Sequence, residues 1–221
     1  MKRIITLVNA YCVLILLCSF LFCFPGLLAA AQEEAVLAGG CFWCLEHDLE
    51  NLHGVYSVES GYTGGDLSNP TYKNHKGHQE AVIVYFDPTE ISYKKILRAY
   101  WRNVDPLDGG GQFCDQGEAY QPVIFTSGVN QQNEAIQSKD DAAKELGKPI
   151  TNLKIKILDA NKFWLAEDYH QNFAERNNLK YNFYRYSCGR DARLDELWGE
   201  RSKTADEWNH DPAKHNEKIK E

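Results

Sequence analysis

Two cysteines one helical turn apart, in Cys41-Phe42-Trp43-Cys44, follow a pair of glycines, Gly39 and Gly40, and a short apolar run, Ala35-Val36-Leu37-Ala38. A thiol at a helix start faces unpaired backbone N–H groups and the positive end of the helix dipole, and both favour the thiolate. The glycines let the backbone turn sharply and come close to a ligand. Three chemistries fit this local pattern: a redox nucleophile at Cys41, a buried structural pair, or half of a metal site. The metal reading needs further donors. His47 and Cys188 are the candidates, since the sequence holds no second C-x-x-C.

A redox dithiol of the thioredoxin kind calls for Trp before the first cysteine and Gly-Pro between the two, and Phe42-Trp43 fits that poorly. Glu80 opens the strongest strand pattern of the chain, Glu80-Ala81-Val82-Ile83-Val84-Tyr85-Phe86. On the surface it would be an ordinary carboxylate; beside an apolar aromatic pocket its pKa would rise and make it a proton donor at neutral pH. Tyr72 and Tyr120 read either as half-buried core tyrosines or as hydrogen-bond donors to a substrate oxygen. Asp115, in a glycine-rich loop, reads as a turn cap or an active-site carboxylate. His170, in an aromatic segment, reads as a core histidine rather than a ligand.

The elements that must hold these residues alternate. Strands are predicted at Val36–Ala38, Val55–Ser60, Glu80–Phe86, Val123–Thr126 and Ile155–Leu158. Helices are predicted after Cys41, after an N-cap at Ser92, from about Asn130 to Leu146, over Phe163–Arg176 and over Arg190–Trp198. Loops cover Asp66–His78 and Asp105–Gly117, and the chain after Tyr181 reads as irregular up to Arg190. No internal repeat or linker interrupts the series, which implies one α/β or α+β domain.

The chain has 221 residues, 43% hydrophobic and 12% aromatic, which suits one domain with a substantial core. A formal net charge of −7 argues against nucleic acid or an anionic membrane surface as partner. The N-terminus is separate in character. Lys2 and Arg3 precede a long apolar run from about Val13 to Leu28, which ends in Ala29-Ala30-Ala31-Gln32, a small-x-small cleavage pattern. The expectation is a signal peptide over residues 1–31, a domain over 32–203, and a charged tail over 204–221, with export to a periplasmic or extracellular space. The alternative is an uncleaved membrane anchor, because the apolar run is long. Of the seven cysteines, Cys41, Cys44, Cys114 and Cys188 lie beyond residue 31. In an oxidising compartment four cysteines would ordinarily mean two staples, but a chain of this size does not depend on them.

The residues meet in one pattern. Gly40-Cys41-Phe42-Trp43 with Glu46 resembles the signature of the A-type peptide methionine sulfoxide reductases. The likeness continues through Gly61-Tyr62-Thr63-Gly64-Gly65, Asn69-Pro70-Thr71-Tyr72, His78-Gln79-Glu80-Ala81-Val82, Asp105-Pro106, Asp115-x-Gly117-x-x-Tyr120, and Phe163-x-x-Ala166-Glu167-Asp168-Tyr169-His170-Gln171. It implies a two-layer sandwich of a mixed β-sheet with flanking helices, ferredoxin-like in type. It further implies that Cys41 attacks the sulfur of methionine S-sulfoxide, free or in proteins, with Phe42 and Trp43 holding the S-methyl group. Glu80 would protonate the sulfoxide oxygen, Tyr72 and Tyr120 would hydrogen-bond it, and Asp115 would act through water. The resulting sulfenic acid would condense with a resolving thiol, and thioredoxin or a similar dithiol would restore the enzyme. No bound cofactor or metal, no nucleic acid and a monomeric state are expected. Cys188 is the first choice as resolving thiol and Cys44 the alternative, since many members carry glycine at the position of Cys44 and place recycling cysteines in a C-terminal tail.

Overall fold

The computed structural model describes residues 32–210. The expected leader or anchor, and the end of the expected tail, lie outside them. Among the described residues no helix is long and apolar enough to cross a membrane.

A six-stranded mixed sheet runs in the order β7-β6-β1-β3-β2-β8. The strands are β1 (Glu33–Ala38), β2 (Val55–Thr63), β3 (Gln79–Phe86), β6 (Val123–Thr126), β7 (Lys156–Asp159) and β8 (Trp164–Leu165). The β6–β7 pair is parallel and the rest are antiparallel. A two-stranded ribbon of β4 (Gly111–Gln112) and β5 (Asp115–Gln116) stands apart in the glycine-rich loop.

β1 lies inside the sheet, flanked by β3 and β6. Its Ala35 and Leu37 share a core with Val82, Val84 and Phe86 of β3 and Ile124 of β6. Ala38, Ala81, Val123 and Phe125 form a smaller cluster, as the period of two in a strand requires. The helices complete the larger core. Phe42, Leu45 and Leu49 come from α1 (Phe42–Glu50), and Ile96, Leu97, Tyr100 and Trp101 from α2 (Tyr93–Trp101). Ser92 caps α2 by accepting from the Lys95 N–H at 3.3 Å, as its residue type suggested. α3 (Gly128–Glu145) packs beside α2, and the Trp101 indole N–H donates to Ser138 Oγ at 2.9 Å. The outcome is the mixed-sheet, helix-flanked α+β class that the alternation implied.

The segment 163–187 departs from expectation. Phe163–Arg176 is not one helix: it runs through β8, a 3₁₀ turn at Asp168–His170, and the single-turn α4 (Phe173–Arg176). The Gln171 amide pairs with both the N–H and C=O of Ser60, each at 2.9 Å, and Asn172 is left-handed at φ 52°. A side chain thus takes the place of a strand partner, which a continuous helix would not permit. The stretch read as irregular is instead α5 (Asn178–Ser187), followed by α6 (Arg190–Trp198).

The tail segment begins as a strap. Arg102 on the α2 C-terminus is fully buried and grips Glu145 of α3 with two bonds, at 3.0 and 2.9 Å. It also donates to the Asp206 carbonyl at 2.7 Å, under the Trp208 ring at 5.0 Å. Arg201 reaches the same carboxylate at 3.1 Å. Removing one member of a buried ion pair leaves an uncompensated charge, a loss of about 3–5 kcal/mol. Glu145→Ala is expected to lower unfolding free energy by that amount in a denaturant titration.

Candidate active site

The end of β1 and the start of β3 build the site together. Ala38 pairs with Ala81 across the sheet, so Glu80 stands next to the turn that leads from β1 into α1. Two glycines make that turn. Gly40 has φ +80°, and a Cβ there would fall 2.6 Å from the Gln112 Cβ; a Cβ on Gly39 would fall 2.6 Å from a Val104 methyl. The sharp turn puts Cys41 at the N-cap of α1, with no side-chain cap bond. The first helical N–H, that of Phe42, donates to Glu80 Oε2 at 3.2 Å.

Cys41, Phe42, Trp43, Tyr72, Glu80, Asp115, Tyr120 and Tyr184 line one small cavity of about 60 Å³. The eight residues come from six parts of the chain: the start of α1, the 66–78 loop, β3, the β4–β5 ribbon, the 3₁₀ turn at Glu118–Tyr120, and α5. Each residue expected to touch substrate or its oxygen, from Cys41 to Asp115, is therefore at this cavity. Trp43 is held flat against Phe173 at 3.7 Å between ring centres, and its indole N–H donates to His170 Nδ1 at 3.1 Å. His170 is buried, as read, and burial lowers its pKa, so the imidazole is neutral and accepts that bond.

Electrostatics divide the site into a proton side and a thiol side. Burial pushes Glu80 up to about 8, helped by the nearby Asp115 and opposed by the Phe42 N–H. Glu80 is then a carboxylic acid at neutral pH, aimed into the cavity. Burial also raises Asp115, against the bond it accepts from the Tyr184 hydroxyl. Tyr72 and Tyr120 are raised by burial and stay protonated, so both can donate. Cys41 corrects a simple reading of its helix position. Burial raises its thiol, with the Cys44 and Glu80 interactions adding to that and the Tyr184 hydroxyl opposing it. Cys44 is lowered, by its hydrogen bond with Cys41 and by the nearby cations of Arg190 and Arg185, against burial.

Two positioning residues escaped the residue-type reading. Tyr184 shares Asp115, reaches Cys41, and stands edge-on to Trp43 at 6.0 Å. Its signal was the spacing Tyr181, Tyr184, Arg185, Cys188, a helical face hidden in an aromatic run. Glu167 accepts from the Tyr62 hydroxyl and the Tyr72 backbone N–H, both at 3.0 Å, and so anchors the loop that carries Tyr72.

The remaining cysteines divide unexpectedly. Cys114 and Cys188 form a disulfide, with Cα atoms 4.9 Å apart, while Cys41 and Cys44 are free and buried. Cys188, the first choice for a free resolving thiol, is therefore already bonded here. The physical reason is its place at the end of α5, which faces the β4–β5 ribbon where Cys114 lies. The four-donor metal alternative does not assemble either, since His47 Nδ1 lies 3.3 Å from Glu50 and Cys188 is in the disulfide. Among the described residues the only group close enough to hold an ion is Cys114, Asp115 and Cys188, and its two sulfurs are joined to each other.

A free thiol under a protonated carboxyl and two phenols, with an aromatic wall, is chemically suited to thiol reduction of a substrate that carries an oxygen. Comparison with known proteins narrows that class. The profile of the peptide methionine sulfoxide reductase family matches residues 33–202. Peptide methionine sulfoxide reductase MsrA 2 of Caulobacter vibrioides is 51% identical over 179 residues, which cover 79% of this chain and 90% of that protein. The MsrA 2 of Rhizobium meliloti is 45% identical over 176 residues, 79% and 87% of the two chains. The structure of methionine sulfoxide reductase A of Corynebacterium diphtheriae superposes with a TM-score of 0.60 at 28% identity, over 71% of this chain and 78% of that one. The chain belongs to the peptide methionine sulfoxide reductases, and within them to the A type. It is an oxidoreductase that reduces methionine sulfoxide.

Proposed function

We propose that reduction proceeds by attack of Cys41 on the sulfur of methionine S-sulfoxide, free or within a protein. The observation that carries this is the buried, proton-bearing Glu80, tied to the first N–H of the helix that Cys41 caps. A sulfoxide presents a partly positive sulfur and a partly negative oxygen. With the sulfur against Cys41 and the oxygen against Glu80, both the thiolate and the acid are favoured. As the Cys41–S bond begins to form, Glu80 delivers a proton to the oxygen, and Tyr72 and Tyr120 hydrogen-bond the charge that develops there. The substrate S–O bond then breaks, the hydroxyl passes to the Cys41 sulfur and the Cys41–S bond to the substrate breaks, which releases methionine and leaves Cys41 as sulfenic acid. The thiol sulfur is oxidised by two electrons and the substrate sulfur is reduced by two. Phe42 and Trp43 supply apolar surface for the S-methyl group. Asp115, bonded to Tyr184, acts on the substrate through water.

Cys44 is the resolving thiol in this reading. It is free, buried, one helical turn from Cys41, and favoured as thiolate by the cations around it. Its attack on the Cys41 sulfur expels water and forms a Cys41–Cys44 disulfide. Thioredoxin or a thioredoxin-like dithiol then restores both thiols by exchange. Export, with cleavage before Gln32, goes with this reading and is checked by N-terminal sequencing of the protein from its host.

The test is a single turnover on the S epimer followed by peptide mapping. A new Cys41–Cys44 linkage is expected. Cys44→Ser is expected to keep one round of methionine release and to lose recycling by thioredoxin. Failure of the reduced enzyme to act on the S epimer would overturn the reading.

A further inference from the structure

We propose that the Cys114–Cys188 disulfide is a positioning clamp that holds Asp115 and Tyr184 over Cys41, a role that rests on the pocket assignment above. The argument begins with the ribbon that carries Asp115. β4 and β5 have two residues each, joined by Phe113 and Cys114, with Phe113 at φ 56°. A two-stranded ribbon this short does not hold its shape unaided. Its β4 side is fixed, because Gln112 exchanges bonds of 2.8 Å with the backbone of Asp105. Its β5 side, with Asp115, projects toward the cavity.

Tyr184 stands on a different element. α5 reaches the pocket through Tyr184 and ends one turn later at Cys188. Two residues adjacent in function thus lie beside two residues joined by a covalent bond: Asp115 follows Cys114 directly, and Tyr184 precedes Cys188 by one helical turn. The Cys114 N–H also points at the Cys188 sulfur, at 3.2 Å. Arg190, stacked 4.5 Å over the Phe113 ring, adds a non-covalent contact. Without the disulfide, the ribbon would be held beside α5 and α6 by the Tyr184–Asp115 hydrogen bond, the Arg190–Phe113 contact and the packing of Phe113 on the core. An error of about 1 Å in a positioning group is enough to cost on the order of 10²-fold in rate. Cys114 is exposed, so the bond is open to reagents in solution.

The test compares the intact protein with C114S/C188S, Y184F and the triple variant. Each is assayed as the rate of methionine release in a single turnover with no external thiol, so that the clamp of the intact protein stays closed. The clamp requires C114S/C188S to lose about 10- to 100-fold in this rate, with the triple variant no worse than the poorer of its parents. An unchanged rate in C114S/C188S, or losses that multiply in the triple variant, would overturn it. A second measurement needs no variant. Fully reduced protein, given excess sulfoxide without air or reductant, is expected to release one methionine per chain. Two per chain would show that Cys114 and Cys188 pass electrons to the nucleophile and are not a clamp. Either failure leaves the assignment of Cys41 standing, whereas loss of that assignment is read separately from C41S.

Discussion

Cys41→Ser is expected to abolish sulfoxide reduction, with a loss on the order of 10⁶-fold, as removal of an enzyme's only nucleophile does elsewhere. The hydroxyl is nearly isosteric with the thiol, so the cavity should persist. What disappears is the ability to reach an anion and to accept an oxygen on sulfur. Serine has no counterpart of sulfenic acid. The nearby Cys44 does not substitute, because it is almost fully buried and is not among the residues that line the cavity. The check is methionine release from the S epimer, with unfolding temperature measured alongside. Turnover retained in this variant would move the nucleophile elsewhere.

The second large effect belongs to Glu80. Glu80→Gln is expected to lower the single-turnover rate by about 10²- to 10⁴-fold, the usual range for a general acid, with substrate affinity mostly kept. The amide oxygen can still accept from the Phe42 N–H, so the helix start is preserved. The pH profile carries the sharper distinction. Glu80 donates only in its protonated form, and that form is present below a pKa of about 8 and lost above it. Burial also raises the Cys41 thiol, so above about 8 the gain in thiolate offsets the loss of the Glu80 acid. The rate of the intact enzyme therefore stops rising near pH 8 and falls once the thiol is ionised. Glutamine has no such titration, so that falling limb vanishes in the variant. The opposite limb, in which rate rises with pH, belongs to Cys41, whose thiol is raised by burial. It should remain. An unchanged rate or an unchanged falling limb in Glu80→Gln would remove the acid role.

The parts of the site that were legible are those set by neighbours in sequence. The apolar run, the two glycines and the aromatic pair announce a strand, a tight turn and a helix within a dozen or so residues, and the β1–α1 junction has that form. Glu80 was legible because a carboxylate at the start of a strongly apolar strand has few places to go. The registers were not legible. Nothing in the sequence alone says that Ala81 faces Ala38, and that pairing brings Glu80 to Cys41. Gln171 is similar: its pairing with the Ser60 backbone breaks a segment that reads as helix, and it depends on a strand 111 positions away. α5 was obscured because tyrosines fall on both its buried and exposed faces, so Tyr184 and Tyr186 look alike in the chain. The cysteine pairing was the least accessible, since four cysteines admit three connectivities and spacing does not choose between them.

The sheet order also sets a schedule for making the molecule. β1, the first described strand, lies inside the sheet and waits for β3 on one side and for β6 on the other. Tyr184 closes the pocket only near the end of the chain, and Cys114 precedes its partner by 74 residues. During synthesis, Cys41, Cys44 and Cys114 are all present before Cys188 exists. Loop-closure entropy favours the shortest ring, so an early oxidant would join Cys41 to Cys44 before β-sheet registers are complete. For production of the protein, the order follows directly: fold the chain reduced, and admit the oxidant afterwards.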